Sequence, residues 1–104
     1  MAATPEAKVK KQIRAILDEY NAYYAMPIGS GYGNSGVPDF LVCYKGWFIG
    51  IEAKANNGKV TALQDFNLNK ITKAGGMTLV VNEESVGQVR VLLDTVQNLE
   101  AILK

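Results

Sequence analysis

The sequence predicts an α/β fold, a mixed sheet flanked by helices in the order α-β-β-β-α-β, with further helices at the C-terminal end. Three observations carry this expectation. Thr4-Pro5-Glu6 is a helix start ahead of apolar residues at helical spacing. Two β-rich runs, Phe40–Tyr44 and residues 47–55, are separated only by Lys45-Gly46. A helix opening at Thr61 is stopped by Gly75-Gly76 just before the apolar run Met77–Val81. At 104 residues the chain reads as a single domain, 1–104, large enough to bury roughly two-thirds of its unfolded surface without staples or a structural metal.

In the first helix a hydroxyl N-cap, a proline at the first helical position and an acid in the first turn come in the favoured order. Val9, Ile13, Ile16, Leu17 and Tyr20 mark its buried stripe, while Lys8, Lys10, Lys11 and Arg14 fall largely off it. Glu6 sits at the end of the apolar face, where it either favours the helix dipole or points toward the sheet. Residues 23–28 read as a short edge strand interrupted by Pro27. Thr61-Ala62-Leu63-Gln64 has capping-box spacing, with Gln64 as capping partner and Leu63, Phe66, Leu68 and Ile71 as apolar positions of the helix. Met77–Val81 reads as a buried strand, and the remainder as helix broken near Asp94-Thr95.

The chain has no His and one Cys, Cys43. A Ser-His-Asp triad, a Cys-His pair and every His-ligated metal site are therefore excluded. Cys43 can form neither an internal disulfide nor a four-thiolate zinc site. Any catalysis must rest on carboxylates, lysines or hydroxyls. A reducing intracellular setting is expected, because the N-terminal residues lack a signal-peptide pattern and no apolar run approaches the ~18 residues of a membrane span. The net charge of +1 hides an asymmetry: residues 1–75 hold nine Lys and Arg against six acids, and residues 76–104 two against four. If some of those six acids were sequestered on a metal, the larger segment would present a basic surface suited to nucleic acid.

The two β-rich runs form a hairpin. If Lys45-Gly46 is its two-residue loop, Tyr44 faces Trp47 and paired numbers sum to 91, so Asp39 lies opposite Glu52. Opposed residues share a sheet face, as do residues two apart, so Asp39, Glu52 and Lys54 converge on one side. Two opposed acids repel, and a divalent cation such as Mg²⁺ or Mn²⁺ is the simplest compensation. The plainer alternative makes Asp39 a turn residue after Pro38 and Glu52 to Lys54 an ordinary polar strand face. Upstream, Gly31, Gly33 and Gly36 spell G-x-G-x-x-G. A dinucleotide site needs a helix N-terminus directly after the glycines, whereas Val37-Pro38-Asp39-Phe40 leads into a strand. A kinase needs two lobes that ~100 residues cannot hold. The segment reads instead as a loop bordering a site.

Gly36-Val37-Pro38-Asp39, then Gly50-Ile51-Glu52-Ala53-Lys54, then Gln64, resembles the PD-(D/E)XK nuclease superfamily and, within it, the VRR-NUC family of virus-type replication and repair nucleases. The likeness runs from Glu6 to Gly76, with Ala53 standing where a larger apolar residue is common. It implies a restriction-endonuclease-like αβββαβ core. It further implies that Asp39 and Glu52 bind Mg²⁺ or Mn²⁺, that the Ala53 carbonyl is a further ligand, and that Glu6 completes or supports the metal site. Lys54 would orient or activate the attacking water and offset phosphate charge, and Gln64 would fix Lys54 or a phosphate oxygen. The implied activity is metal-dependent DNA endonuclease, selective for branched DNA such as four-way junctions. The implied setting is the cytoplasm of a bacterial cell, phage-encoded or host-encoded. A restriction or homing endonuclease on the same core, and a non-catalytic DNA-binding module, are the alternatives. A homodimer is expected, because coordinated cutting of two strands needs two sites held in fixed relation. Val86, Val89, Leu92, Leu93, Val96, Leu99, Ile102 and Leu103 also exceed what an end segment on a small core must bury.

Overall fold

A computed structural model describes residues 4–28 and 36–103 of the chain. Helix α1 spans Pro5–Glu19; its N-cap Thr4 Oγ1 accepts a hydrogen bond from the Ala7 N–H at 3.1 Å, and Val9, Ile13, Ile16 and Leu17 are buried. Strand β1, Tyr23–Ala25, ends short of residue 28, where Pro27 has no N–H to offer a ladder. Strands β2 (Phe40–Tyr44) and β3 (Trp47–Ala53) form the hairpin in the expected register, with Tyr44 opposite Trp47 and Phe40 opposite Ile51. Its turn residues, Lys45 and Gly46, both have positive φ, 52° and 85°, as a two-residue type I′ turn requires. Helix α2 (Ala62–Lys73) crosses over to β4 (Met77–Val81), which runs parallel to β3, and helix α3 (Gln88–Leu103) closes the chain. The sheet order β1-β2-β3-β4 is mixed, with the hairpin in the middle.

The two faces of this sheet are covered differently. One face carries α1 and α3 over a core that includes Val9, Ile13, Leu17, Phe40, Val42, Ile49, Ile51, Val81, Val89, Leu93 and Val96. The other carries α2 alone. Its Ile71 lies so close to Gly50 that a Cβ at position 50 would come within 2.7 Å of Ile71 Cδ1. Alternation along β3 therefore puts Phe48, Gly50 and Glu52 on the α2 face and Ile49, Ile51 and Ala53 in the core.

Several expectations need correcting. Strand β3 ends at Ala53, not 55, and there Lys54 N–H donates to Val81 O at 2.8 Å. Strand β4 is only half buried apart from Val81, because it forms a sheet edge. Helix α3 is one continuous helix through Asp94-Thr95. Both polar side chains are satisfied without breaking it: Thr95 Oγ1 donates to Val91 O and Asp94 accepts from Tyr20 OH, while Val89, Leu93 and Val96 anchor one unbroken stripe. That anchoring, with Val86 and Leu92 packed beside it, consumes most of the apolar surplus expected to drive pairing; Ile102 and Leu103 remain exposed. Of the apolar positions of α2, Leu68 is buried but Leu63 and Phe66 are exposed. The loop glycines Gly31 and Gly33 lie outside the described residues; from Gly36 the chain enters β2, not a helix. Among the described residues no helix is long and apolar enough to cross a membrane.

Candidate active site

Asp39 directly precedes Phe40, whose register partner is Ile51, and its charge acts on the neighbouring Glu52 carboxyl. Asp39 Oδ2 accepts the Ala53 N–H at 2.8 Å, so the carboxylate takes a main-chain donor at the end of the ladder. Ala53 itself turns its methyl into the core and leaves only its main chain beside the acids. Gly36 shows how the approach to Asp39 is shaped: a Cβ there would lie 2.5 Å from Leu63 O, so only glycine lets this segment pass against the first turn of α2.

Among the described residues Glu52 is the buried charged side chain, 2% exposed. Burial pushes its carboxyl up to about 7; the Asp39 charge adds to the rise and the Lys54 ammonium opposes it. Glu52 Oε2 accepts a hydrogen bond from Gln64 Nε2 at 3.0 Å and lies 3.7 Å from Lys54 Nζ. Gln64 performs two tasks with one amide. Its Oε1 accepts the Thr61 N–H at 2.9 Å, closing the capping box, while its Nε2 holds Glu52. Gln64 thus pins the start of α2 to the buried acid.

Lys10, which periodicity alone placed off the buried stripe, belongs to the same constellation. Its Nζ lies 3.4 Å from Asp39 Oδ1 and 3.6 Å from Glu6 Oε2. The charged groups therefore follow one another in the order Glu6, Lys10, Asp39, Glu52, Lys54, with the two acids side by side between two lysines. Glu6 is joined to Asp39 through Lys10 and does not stand with the two acids: among the described residues no group of three or more Asp, Glu, Cys or His is placed to hold a metal. The i,i+4 spacing of Glu6 and Lys10 was the available sign of their pairing.

This arrangement has a counterpart among solved structures. One titled "VRR_NUC domain" superposes with a TM-score of 0.72 at 29% identity, covering 88% of this chain and 97% of that one. In fold, and at this identity in sequence, the chain is similar to VRR-NUC domains. A second structure, titled "VRR_NUC domain protein", shares the fold at a TM-score of 0.60 and 14% identity, covering 94% of this chain and 89% of that one. No family model and no curated protein matches the sequence. In this chain the motif residues converge from three places: Asp39 from the approach to β2, Glu52 and Lys54 from the end of β3 and the residue just past it, and Gln64 from the first turn of α2.

The donor set fits a hard divalent cation. Two adjacent carboxylates, one destabilised as an anion by burial and by its neighbour, are flanked by lysines that only partly neutralise them. Oxygen ligands of this kind suit Mg²⁺ or Mn²⁺, ions that keep positions open for water and phosphate.

Proposed function

We propose that this domain is a divalent-metal-dependent DNA endonuclease selective for branched substrates such as four-way junctions, acting as a homodimer. The observation that carries the reading is the closeness of the Asp39 and Glu52 carboxyls, with Lys54 Nζ 3.7 Å from the buried acid. Asp39, Glu52 and the Ala53 carbonyl are the groups that would hold Mg²⁺ or Mn²⁺, whose chemistry there is Lewis-acid activation of the scissile phosphate. Lys54, anchored on Glu52, orients the attacking water and offsets the charge that develops on the phosphate. Gln64 keeps Glu52 aimed into the site, and Lys10 holds Asp39 while linking it to Glu6. Each domain supplies one such site, so coordinated cutting of two strands calls for a twofold pair.

The test is a comparison of products from supercoiled, linear, single-stranded and four-way-junction DNA with Mn²⁺, using Lys54→Ala as control. Cleavage concentrated at the junction, absent in EDTA and in the variant, is expected. Cutting set by base sequence would favour a restriction or homing enzyme, and binding without cutting a non-catalytic module. Light scattering of the free protein should give about twice the 11.3 kDa chain mass.

A further inference from the structure

The α2 face of the sheet holds a groove of about 500 Å³, formed where one flank of α2 meets β3 and lined by Phe48, Phe66, Asn67, Lys70, Ile71 and Ala74. Two of these are aromatic rings left open to solvent, Phe48 at 45% and Phe66 at 56% exposure. Lys70 Nζ sits 5.7 Å from the centre of the Phe66 ring, which brings a cation to the rim beside an aromatic platform. Among the described residues no carboxylate lines the groove. Its charge is therefore complementary to a polyanion, and its rings offer flat apolar faces.

The groove and the candidate active site share helix α2 and the same face of β3. Helix α2 forms its wall and, at its other end, holds Glu52 through Gln64. Phe48 and Glu52 lie on the same face of β3, four residues apart, or about 13 Å at ordinary strand rise. Such a spacing places the rings one or two extended nucleotides along a strand whose phosphate occupies the carboxylate end.

We infer that the groove receives unpaired nucleobases of the DNA substrate, stacked on Phe66 and Phe48, with Lys70 contacting the adjoining phosphate. The inference rests on the nuclease reading for the identity of the polymer. Stacking on aromatic side chains accepts any base, so the groove reads unpaired structure, not sequence. A duplex keeps its bases in the stack and offers the rings nothing to hold, whereas a branch point or a frayed end does.

The experiment measures fluorescence anisotropy of a labelled oligothymidylate and of a blunt duplex of equal length, with Ca²⁺ as the only divalent ion. Phe66→Ala is expected to weaken oligothymidylate binding about tenfold while leaving duplex binding unchanged, and Phe66→Trp to restore it. Lys70→Ala should weaken oligothymidylate binding and flatten its salt dependence. Because Phe66 is largely exposed, melting temperatures should not move, which separates lost stacking from lost folding. Equal binding by wild type and Phe66→Ala would overturn the inference, as would an equal loss on both probes. A change in mass by light scattering on Phe66→Ala would also overturn it, by giving the groove to a second copy of the chain. If wild type cleaves no DNA but Phe66-dependent binding persists, the nuclease reading fails and the groove stands.

Discussion

Strand β3 exposes the contrast between the two faces of this sheet within seven residues. Ile49, Ile51 and Ala53 are completely buried between α1 and α3, whereas Phe48, Gly50 and Glu52 alternate with them under a single helix. The first set makes the strand stable. The second contains an open aromatic, a residue that has no side chain to pack, and a buried acid forced against another acid. Burying Glu52 there costs stability that the opposite face supplies, so the pleat separates what holds the fold from what gives it chemistry.

The largest effect expected on this contrast is catalytic. Lys54→Ala should lower cleavage at least about a hundredfold and leave DNA affinity nearly intact, since Lys54 is one of nine basic residues in positions 1–75. Rates and binding isotherms measured on one preparation decide it; parallel loss of both would make Lys54 a phosphate anchor. Next in size, Ile51→Ala should destabilise the domain by about 2–5 kcal/mol through the cavity it leaves. Its neighbour Glu52→Gln should be neutral or stabilising without metal, because it removes the repulsion. Denaturant titrations of the two variants would break the contrast if both lost stability alike.

The raised carboxyl of Glu52 adds a pH signature. Its folded value of about 7 exceeds the ordinary 4.5, so the folded protein holds this proton more tightly than the unfolded chain. The associated stability is fully present below about pH 4.5 and is lost as pH rises through 7. Melting temperatures in EDTA should therefore fall between pH 5 and pH 8, and Glu52→Gln should flatten that slope. The smallest effect belongs to Glu6. Glu6→Gln releases Lys10 from one of its two partners and should slow turnover modestly, with a stability change under about 1 kcal/mol. Unchanged turnover with a lower melting temperature would reduce Glu6 to a helix-dipole residue.

Which parts of this were legible in the sequence follows from the range of the interactions. The two-residue turn Lys45-Gly46 sets the hairpin register by local geometry, and that register brings Phe40 opposite Ile51 and so the preceding Asp39 close to Glu52. The Thr61–Gln64 capping box is equally local. The bond from Gln64 to Glu52 depends on where the crossover sets α2 on the sheet, which no local pattern encodes. The contact of Lys10 with Asp39 is hidden for a related reason: Lys10 lies off the buried stripe of α1, as periodicity says, but periodicity does not say which flank faces Asp39. The continuity of α3 was hidden because Asp94 and Thr95 resemble a break until Tyr20 and Val91 are seen to satisfy them. Phe66 is an apolar position of α2 at helical spacing, yet the sheet beneath that flank of the helix leaves it open, which spacing alone does not tell.

The central claim is that Asp39 and Glu52 form a strained anionic pair built for a divalent cation. Thermal unfolding at pH 8 of wild type and Glu52→Gln, each in EDTA and in Mn²⁺, tests it most directly. The account predicts that Mn²⁺ raises the melting temperature of wild type by several degrees, that Glu52→Gln in EDTA melts at or above wild type, and that Mn²⁺ leaves the variant unmoved. A wild type indifferent to Mn²⁺, or a variant that melts well below it in EDTA, would contradict the claim.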